Sequence, residues 1–421
     1  MYGFVRQLFP LCRSITGEGL RATLKEIGRR IPLVLHEVPT GAPALDWQVP
    51  LEWNVKAARV ETLDGKALVD FADCNLHVVS YSMPVDAIVS RDELSCHVHT
   101  LPDQPDLVPY RTAYYAEQWG FCLAHRVWET MRDACYRVRI DSTLAPGSLS
   151  YGELYIAGKE KAEVLVSVHC CHPSLANDNL SGIAVATEIA QHLLGRDNRL
   201  SYRFLFIPAT IGSLTWLARN EAVLPNVAHG LVLSCVGDDG MFHYKQSRRG
   251  DADIDRVVAY VLSGRNAAHK IMGFSPYGYD ERQYCSPGYD LPVGCFMRSP
   301  NGTFPEYHTS ADDLRLVTAE ALEQSLDVLI DVIGVLERNV VFERVDGRGE
   351  PQLGRRGLYR AISGHKDQAE AQMALLWVLN QTDGRHSLLD IAERSGVAFE
   401  QLALAAEAAR EADLIRPVAT P

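Results

Sequence analysis

Between about residue 136 and residue 340, short apolar runs alternate with longer amphipathic runs, and this alternation constrains the fold more than any other feature. The apolar runs have the length of buried strands, and the amphipathic runs have the spacing of helices. Strands are expected at 164–168, 202–207 and 230–235, and helices at 181–194 and 319–338. This pattern is typical of an α/β protein with a mostly parallel sheet flanked by helices. Such sheets bind ligands at the carboxyl ends of their strands, so we expect the functional residues there.

The remaining sequence divides into parts with different patterns. Residues 1–40 contain a helical pattern and a short strand, and we assign them with 136–345 to one α/β domain. Residues 41–135 consist of short aromatic and β-branched runs interrupted by Pro, Gly and Asp, which predicts a small inserted β-rich domain. Residues 350–421 carry three short helical patterns, and we predict a winged-helix-like domain there.

Composition argues against several classes of function. A formal net charge of -12 gives a surface that repels phosphate backbones and anionic membranes, so nucleic acid is an unexpected partner. The first residues lack the apolar core of a signal peptide, and no apolar run approaches the roughly 18 residues of a membrane span. We therefore expect a cytoplasmic protein without a membrane partner. Its ten cysteines are expected to be free thiols.

The loop after the predicted strand 164–168 concentrates side chains that bind metals. His169, His172 and Asp178 all lie between this strand and the next predicted helix. Imidazole nitrogens and carboxylate oxygens are the ligands of zinc in hydrolytic sites that keep one position open for water. Structural alternatives exist, because Asp178 or Asn179 could instead cap the helix and His172 could be an ordinary loop histidine.

A second segment, 305–313, supplies a further candidate ligand just before the predicted helix 319–338. Zinc sites commonly combine a local pair of ligands with a distant one, and His308 suits the distant position. Asp312 and Asp313 are expected to cap the helix that follows.

These segments resemble a known group of enzymes. The Asn-Asp-Asn-Leu-Ser-Gly sequence at 177–182, followed much later by Tyr307 and His308, resembles the co-catalytic zinc aminopeptidases of the transferrin-receptor-like peptidase superfamily. The sequence is most similar to a bacterial aminopeptidase-like family that joins a peptidase core, an inserted β-domain and a C-terminal winged helix. The resemblance extends over nearly the whole chain, including the strings at 12–17, 109–112 and 280–285.

The resemblance implies specific roles for the candidate ligands. His172 matches the first metal histidine, Asp178 the carboxylate that bridges two zinc ions, and His308 the distal histidine. His169 competes for the first position because only two residues separate it from His172. We prefer His172, since it falls beyond the end of the strand.

The sequence departs from the two-zinc pattern in two places. The co-catalytic enzymes have paired glutamates after a strand, one a base and one a ligand, and the matching segment 206–213 contains neither. Their third acidic ligand is matched by Ser234 and Cys235. The site expected here is therefore a single zinc ion held by His172, Asp178 and His308.

Ala209 is the sharpest of these departures, because the resemblance places a glutamate there. Water that attacks an amide needs a base to accept its proton and pass it to the leaving amine, and alanine cannot do this. Three explanations are open. The alanine could be an engineered replacement that traps substrate, the protein could be catalytically silent by nature, or another carboxylate, such as Glu281 or Glu306, could act as the base.

Four residues are expected to bind substrate. In the loop 279–284, Asp280 could bind an ammonium group and Arg282 a carboxylate through charge-assisted hydrogen bonds. Arg111 in the insert and Tyr307 beside the distal histidine are further candidates. The alternatives are a solvated charged loop and an insert whose aromatic residues form only its own core.

The tail is a poor candidate for DNA binding. From residue 351 to the end it has eight Lys or Arg against nine Asp or Glu, whereas a DNA-binding module presents a basic face. We favour a packing or dimerisation role, which is compatible with a homo-oligomer.

The sequence therefore predicts a zinc-dependent hydrolase of the aminopeptidase type. It is expected to cleave an amide bond in a small peptide or in an aminoacylated metabolite of a biosynthetic route. The alternatives are a catalytically silent ligand-binding protein and a regulator that uses its winged helix.

Overall fold

The computed structural model describes residues 1–265, 267–358 and 366–418, and the chain divides into two compact units, Met1–Leu329 and Ile330–Pro421. The helices that begin in the first unit are α1 (Tyr2–Leu8), α2 (Glu18–Gly28), α3 (Arg91–Ser95), α4 (His125–Thr130), α5 (Gly182–Leu193), α6 (Ile211–Arg219), α7 (Asp253–Gly264), α8 (Glu281–Tyr284) and α9 (Ala319–Arg338). Its strands are β1 (Val34–Pro39), β2 (Pro43–Ala44), β3 (Trp47–Gln48), β4 (Glu52–Glu61), β5 (Ala67–Asp70), β6 (Val85–Ser90), β7 (Val98–His99), β8 (Phe121–Cys122), β9 (Cys135–Ala145), β10 (Ser148–Ile156), β11 (Glu163–His169), β12 (Ser201–Ile207), β13 (Val227–Leu233), β14 (Phe242–Lys245), β15 (His269–Met272) and β16 (Val293–Met297).

An eight-stranded sheet in the order β1-β10-β12-β11-β13-β16-β14-β15 forms the centre of the first unit. Strands β12, β11, β13 and β16 are parallel neighbours, while β1, β10 and β14 introduce antiparallel pairings towards the edges. Every residue of β11 and of β12 is buried, as expected for parallel strands covered on both faces. The strands and helices predicted in this region are confirmed as β11, β12, β13, α5 and α9.

The inserted segment forms a separate four-stranded antiparallel sheet in the order β5-β4-β9-β6. Along β9, Tyr136, Val138 and Ile140 are buried, and the residues between them, Arg137 and Arg139, are exposed. This alternation is that of a sheet with one face on a core and one face in solvent. The β-rich character predicted for this segment is confirmed, and the boundaries drawn for it stay predictions.

In its described residues, the second unit has a three-stranded sheet and, after α9, three α-helices. Its strands are β17 (Val341–Arg344), β18 (Asp383–Ser387) and β19 (Ile415–Pro417), and its helices are α10 (Lys366–Gln381), α11 (Leu388–Ser395) and α12 (Phe399–Glu411). Strand β17 pairs antiparallel with both β18 and β19. A capping box formed by Ser387 and Asp390 begins α11, and Gly396 in a left-handed conformation ends it. The winged-helix arrangement predicted for the tail is thereby confirmed.

Among the described residues, no helix combines the length and apolar character that crossing a membrane demands. All ten cysteines lie in the described residues, and each is a free thiol.

Candidate metal centre

Three candidate ligands meet where β11 gives way to α5. His169 is the last residue of β11, His172 lies in the following loop, and Asp178 lies in a π-helical turn, Ala176–Ser181, directly before α5. The ligand atoms of His169, His172 and Asp178 lie within 4.8 Å of one another. Asp178 is fully buried, so its charge depends on these neighbours.

The two oxygens of Asp178 have different neighbours. Oδ1 lies 2.8 Å from His169 Nε2 and accepts a hydrogen bond of 3.1 Å from the Tyr279 hydroxyl. Oδ2 lies 3.3 Å from His172 Nδ1 and 3.0 Å from His308 Nε2. The structure therefore brings His308 to the same carboxylate as the local histidines, although it comes from a distant loop.

Asn179 determines which ring nitrogen of His169 carries the proton. Its amide oxygen accepts from the backbone N–H groups of Gly182 and Cys235, and its Nδ2 donates to Leu233 O at 2.9 Å. The same Nδ2 lies 3.3 Å from His169 Nδ1, so this nitrogen accepts and Nε2 carries the proton. His169 therefore donates to Asp178 Oδ1 and orients the carboxylate. The same side chain accepts a hydrogen bond from the N–H of Gly182, the first residue of α5, as the capping role considered for Asn179 requires.

Gly182 is needed beside this amide. A Cβ on Gly182 would lie 2.4 Å from Asn179 Oδ1 and 2.7 Å from Leu233 O. The Asn-x-x-Gly spacing thus reflects a close approach of the first turn of α5 to the Asn179 side chain.

The ionisation of Asp178 follows from its surroundings. Burial alone would raise the pKa of Asp178, but the charge of His172 and hydrogen bonds from His169, His172 and His308 hold this pKa well below its usual range. An ionised carboxylate faced by two imidazole nitrogens on one oxygen is a suitable donor set for a divalent cation such as zinc.

The role expected for Asp312 was wrong. Helix α9 begins several residues later, and Asp312 accepts instead from the backbone N–H groups of Asn177, at 2.5 Å, and Asp178, at 2.9 Å. Asp313 likewise does not cap α9 and bonds within its own loop. Asp312 is fully buried, and burial together with the nearby Asp178 charge raises its pKa to about 8. Asp312 thus holds the turn that presents Asp178.

Arg13 connects the N-terminal segment to the same loop. Its guanidinium is almost completely buried, and it donates to His172 O at 2.7 Å and to Leu8 O at 2.6 Å. No role for Arg13 was predicted from the sequence. The buried arginine fixes the backbone of His172 relative to α1.

Aromatic rings surround the histidines. Tyr307 stacks on His308 with ring centroids 3.9 Å apart, and Tyr279 stacks on His169 at 4.6 Å. Tyr110 of the insert contacts His172 and His308 edge-on, each at 5.1 Å.

The insert therefore covers the site, and Tyr110 is the residue that does so. Its backbone N–H donates to His308 O at 2.8 Å, and its side chain is buried. Arg111, which was predicted to bind substrate, is exposed. Burial lowers the pKa of His99, and the positive charge of Arg111 lowers it further. The Arg111 guanidinium therefore influences another residue of the insert, His99.

The carboxylates considered as bases lie in different environments. Glu281 is buried and forms an ion pair with Lys245 at 2.7 Å. Glu306 is half-buried, two residues before His308. Asp280 is fully buried, and its Oδ1 accepts from the Ser213 hydroxyl at 2.7 Å. Its Oδ2 has no hydrogen-bond partner among the described residues, and burial raises its pKa to about 7.

Ala209 lies beside the histidine loop and opens onto a cavity. The Cys171 thiol faces Ala209 O at 3.9 Å, and Ala209 lines a cavity of about 250 Å³ with Tyr279 and Arg282. Because the Tyr279 hydroxyl contacts Asp178, this cavity adjoins the candidate metal centre.

Comparison with known proteins agrees with this fold. The chain is 47% identical over 418 residues to a protein of Clostridium acetobutylicum provisionally named a polysaccharide biosynthesis protein with an aminopeptidase-like domain, covering 99% of this chain and 96% of the relative. A crystal structure of a provisionally named peptidase from Clostridium acetobutylicum matches with a TM-score of 0.93 and 45% identity, over 99% of this chain and 96% of that one. A zinc aminopeptidase from Bacillus subtilis shares the fold at 12% identity, with a TM-score of 0.58 over 80% of this chain and 93% of that one.

The fold and these relatives define an aminopeptidase-like protein with a C-terminal winged helix-turn-helix domain, which matches residues 340–417. The chain belongs to the family described as a domain of unknown function, DUF4910, whose match spans residues 2–339. The fold is that of peptidase-type hydrolases.

Proposed function

We propose that this protein is a zinc-dependent hydrolase that cleaves an amide bond in a small peptide or an aminoacylated metabolite. The observation that carries the proposal is the arrangement around Asp178, where two imidazoles face one oxygen of a buried, ionised carboxylate. The name of the Clostridium acetobutylicum relative, which mentions polysaccharide biosynthesis, supports a metabolite rather than a protein as substrate.

The proposed ligands are His172, Asp178 and His308. All three present a nitrogen or oxygen to the space next to Asp178 Oδ2, and zinc prefers such ligands. His169 is left out of this set because it faces the other oxygen, Oδ1, and because both of its ring nitrogens have partners, Nε2 at Asp178 Oδ1 and Nδ1 at the Asn179 amide. Three protein ligands leave the open position that a hydrolytic site requires.

When bound, zinc supplies a Lewis acid that polarises a carbonyl and lowers the pKa of a water molecule. His169 and Tyr279 hold the Asp178 carboxylate in one orientation through its other oxygen. Tyr110 and Tyr307 pack against the histidine rings and limit solvent around them.

Asp280 is the proposed proton acceptor in place of the absent glutamate. A base works best when its pKa lies near the working pH, and burial brings the pKa of Asp280 to about 7. One oxygen of Asp280 has no hydrogen-bond partner among the described residues, so it is available to accept a proton. Asp280 would take a proton from the attacking water and deliver it to the amine nitrogen as the C–N bond breaks. Glu281 is less suited because Lys245 already neutralises it.

The test is amine release from a panel of aminoacyl amides by the full chain supplied with zinc. We expect hydrolysis by the wild type, a fall of about 10²–10⁴-fold in kcat for Asp280→Asn, and partial recovery in Asp280→Glu. Hydrolysis that Asp280→Asn leaves unchanged would remove Asp280 from the mechanism.

A second function is favoured by one observation, the alanine at position 209. A silent protein would bind zinc and substrate without turnover, and the variant Ala209→Glu would then gain activity that the wild type lacks. Turnover by the wild type excludes this second function. Absence of turnover in the wild type and in Ala209→Glu alike would contradict the proposed hydrolase.

A further inference from the structure

The cavity beside Ala209 has an uneven distribution of charge. Its walls include the aromatic rings of Trp47, Tyr114 and Tyr115, and Arg282 is the one charged side chain among the described residues that line it. Trp47 and Tyr115 lie with ring centroids 5.4 Å apart, which makes a continuous aromatic surface. A volume of about 250 Å³ admits a group the size of one ring or one residue.

Arg282 lines this cavity and also a second one, which Phe274 and Gln283 line with it. Its Nε is buried and has no hydrogen-bond partner among the described residues. Neither neighbouring acid forms a hydrogen bond or ion pair with Arg282 among the described residues: Glu281 pairs with Lys245, and Asp280 accepts from Ser213 through Oδ1 while its Oδ2 has no partner. Arg282 as a whole is half-buried and forms no ion pair among the described residues, and such a guanidinium can bind a carboxylate through paired, charge-assisted hydrogen bonds.

Ala209 lines the same cavity, so a glutamate there would add a carboxylate to a space whose only other charge is the Arg282 guanidinium. With alanine, the cavity keeps its positive charge and gains room. A ligand anion can supply the charge that the side chain does not.

We propose that this cavity, the Arg282 pocket, binds a carboxylate carried on a body that can pack against aromatic rings. The inference rests on the proposed function in that the pocket adjoins the candidate metal centre through Tyr279, so the carboxylate belongs to the substrate. The aromatic walls contact the body of the group, and Arg282 selects its charge. An amino-acid residue and an acidic sugar both present this chemistry.

The test compares acids with their neutral counterparts by calorimetry on the metal-free full chain. One pair is N-acetyl-L-tyrosine with its amide, and the other is glucuronic acid with glucose. We expect the acid of at least one pair to bind about 10–100-fold more tightly than its counterpart, as a charge-assisted hydrogen bond provides. The pair that shows the difference identifies the source of the carboxylate.

Two variants and one control test the assignment to Arg282. Arg282→Gln should remove the preference for the acid, and Ala209→Glu should also remove it by pairing with the arginine that remains. Arg139→Gln, on the exposed face of β9, should bind like the wild type. Equal binding of acid and neutral compound in both pairs, or a preference that persists in Arg282→Gln, would overturn the proposal. Because the protein is metal-free, this outcome is separate from any failure to bind zinc.

Discussion

The two carboxylate oxygens of Asp178 have different partners. The side chains at one oxygen would bind a metal ion with it, and the side chains at the other hold the Asp178 carboxylate in place. His169 and Tyr279 occupy Oδ1, whereas His172 and His308 face Oδ2. The hydrogen bond from Asn179 Nδ2 to His169 Nδ1 is what makes this assignment, because it fixes the tautomer of His169.

The first prediction concerns the two neighbouring histidines. We expect His172→Ala to lose far more zinc affinity than His169→Asn. The His169 variant should lose about 10–100-fold in affinity, which is typical when a residue that orients a metal ligand is replaced. Competition with a chelator of known affinity measures both. A loss confined to the His169 variant would reverse the assignment.

The second prediction concerns the pH dependence contributed by Asp280. Burial raises the pKa of Asp280 to about 7 in the folded chain, above the value near 3.9 expected when it is unfolded. Between these values the folded state binds more protons, so this group lowers stability as pH rises through that window. The Tm of Asp280→Asn minus the Tm of the wild type should therefore increase as the pH is raised from 4 to 8.

Asp290→Asn is a matched control for this measurement. Hydrogen bonding from Arg248 lowers the pKa of Asp290, so its replacement should not show the gain. A Tm difference for Asp280→Asn that is constant across the range would contradict the buried, protonated state.

At the scale of elements, the loop after β11 is held by α1 through Arg13 and by the loop before α9 through Asp312. Each contact is made to backbone groups, so each fixes the path of the chain rather than one rotamer. The centre is thus assembled from segments far apart in sequence.

The third prediction tests the link made by Arg13. Arg13→Met removes the donor to His172 O and Leu8 O, and each buried acceptor left without a donor costs about 1–3 kcal/mol. We expect a lower denaturation midpoint and weaker zinc binding. Arg139→Gln, an exposed arginine on β9, should change neither property, and equal effects in the two variants would contradict the structural role of Arg13.

At the scale of the whole molecule, the winged helix-turn-helix domain presents an acidic helix. Along α12, the exposed positions include Glu400, Leu404, Glu407 and Glu411, with Arg410 as the one exposed cation. An acidic helix repels phosphate, whereas DNA recognition depends on cationic contacts.

The fourth prediction follows from this charge. The full chain should show no affinity for random duplex DNA in a gel shift at low salt. Binding that weakens steeply with added salt would show that another basic face exists and would contradict this reading of α12.

The sequence predicted the fold well where apolar periodicity is strong. Strands β11 and β12 are buried along their length, and α9 begins and ends where its pattern does. The role of Asp312 was missed because capping is a local rule, whereas the N–H groups that donate to Asp312 lie 134 and 135 residues away in sequence and reach it only in the folded chain. The same holds for Tyr110, since only the folded insert brings it to the histidines.

The central claim is a single zinc ion on His172, Asp178 and His308, and metal analysis of the purified full chain tests it most directly. We expect one zinc per chain in the wild type and loss of that zinc in His308→Ala with the fold preserved by circular dichroism. A wild type without zinc, or a His308→Ala variant that retains zinc at wild-type stoichiometry and affinity, would contradict the account.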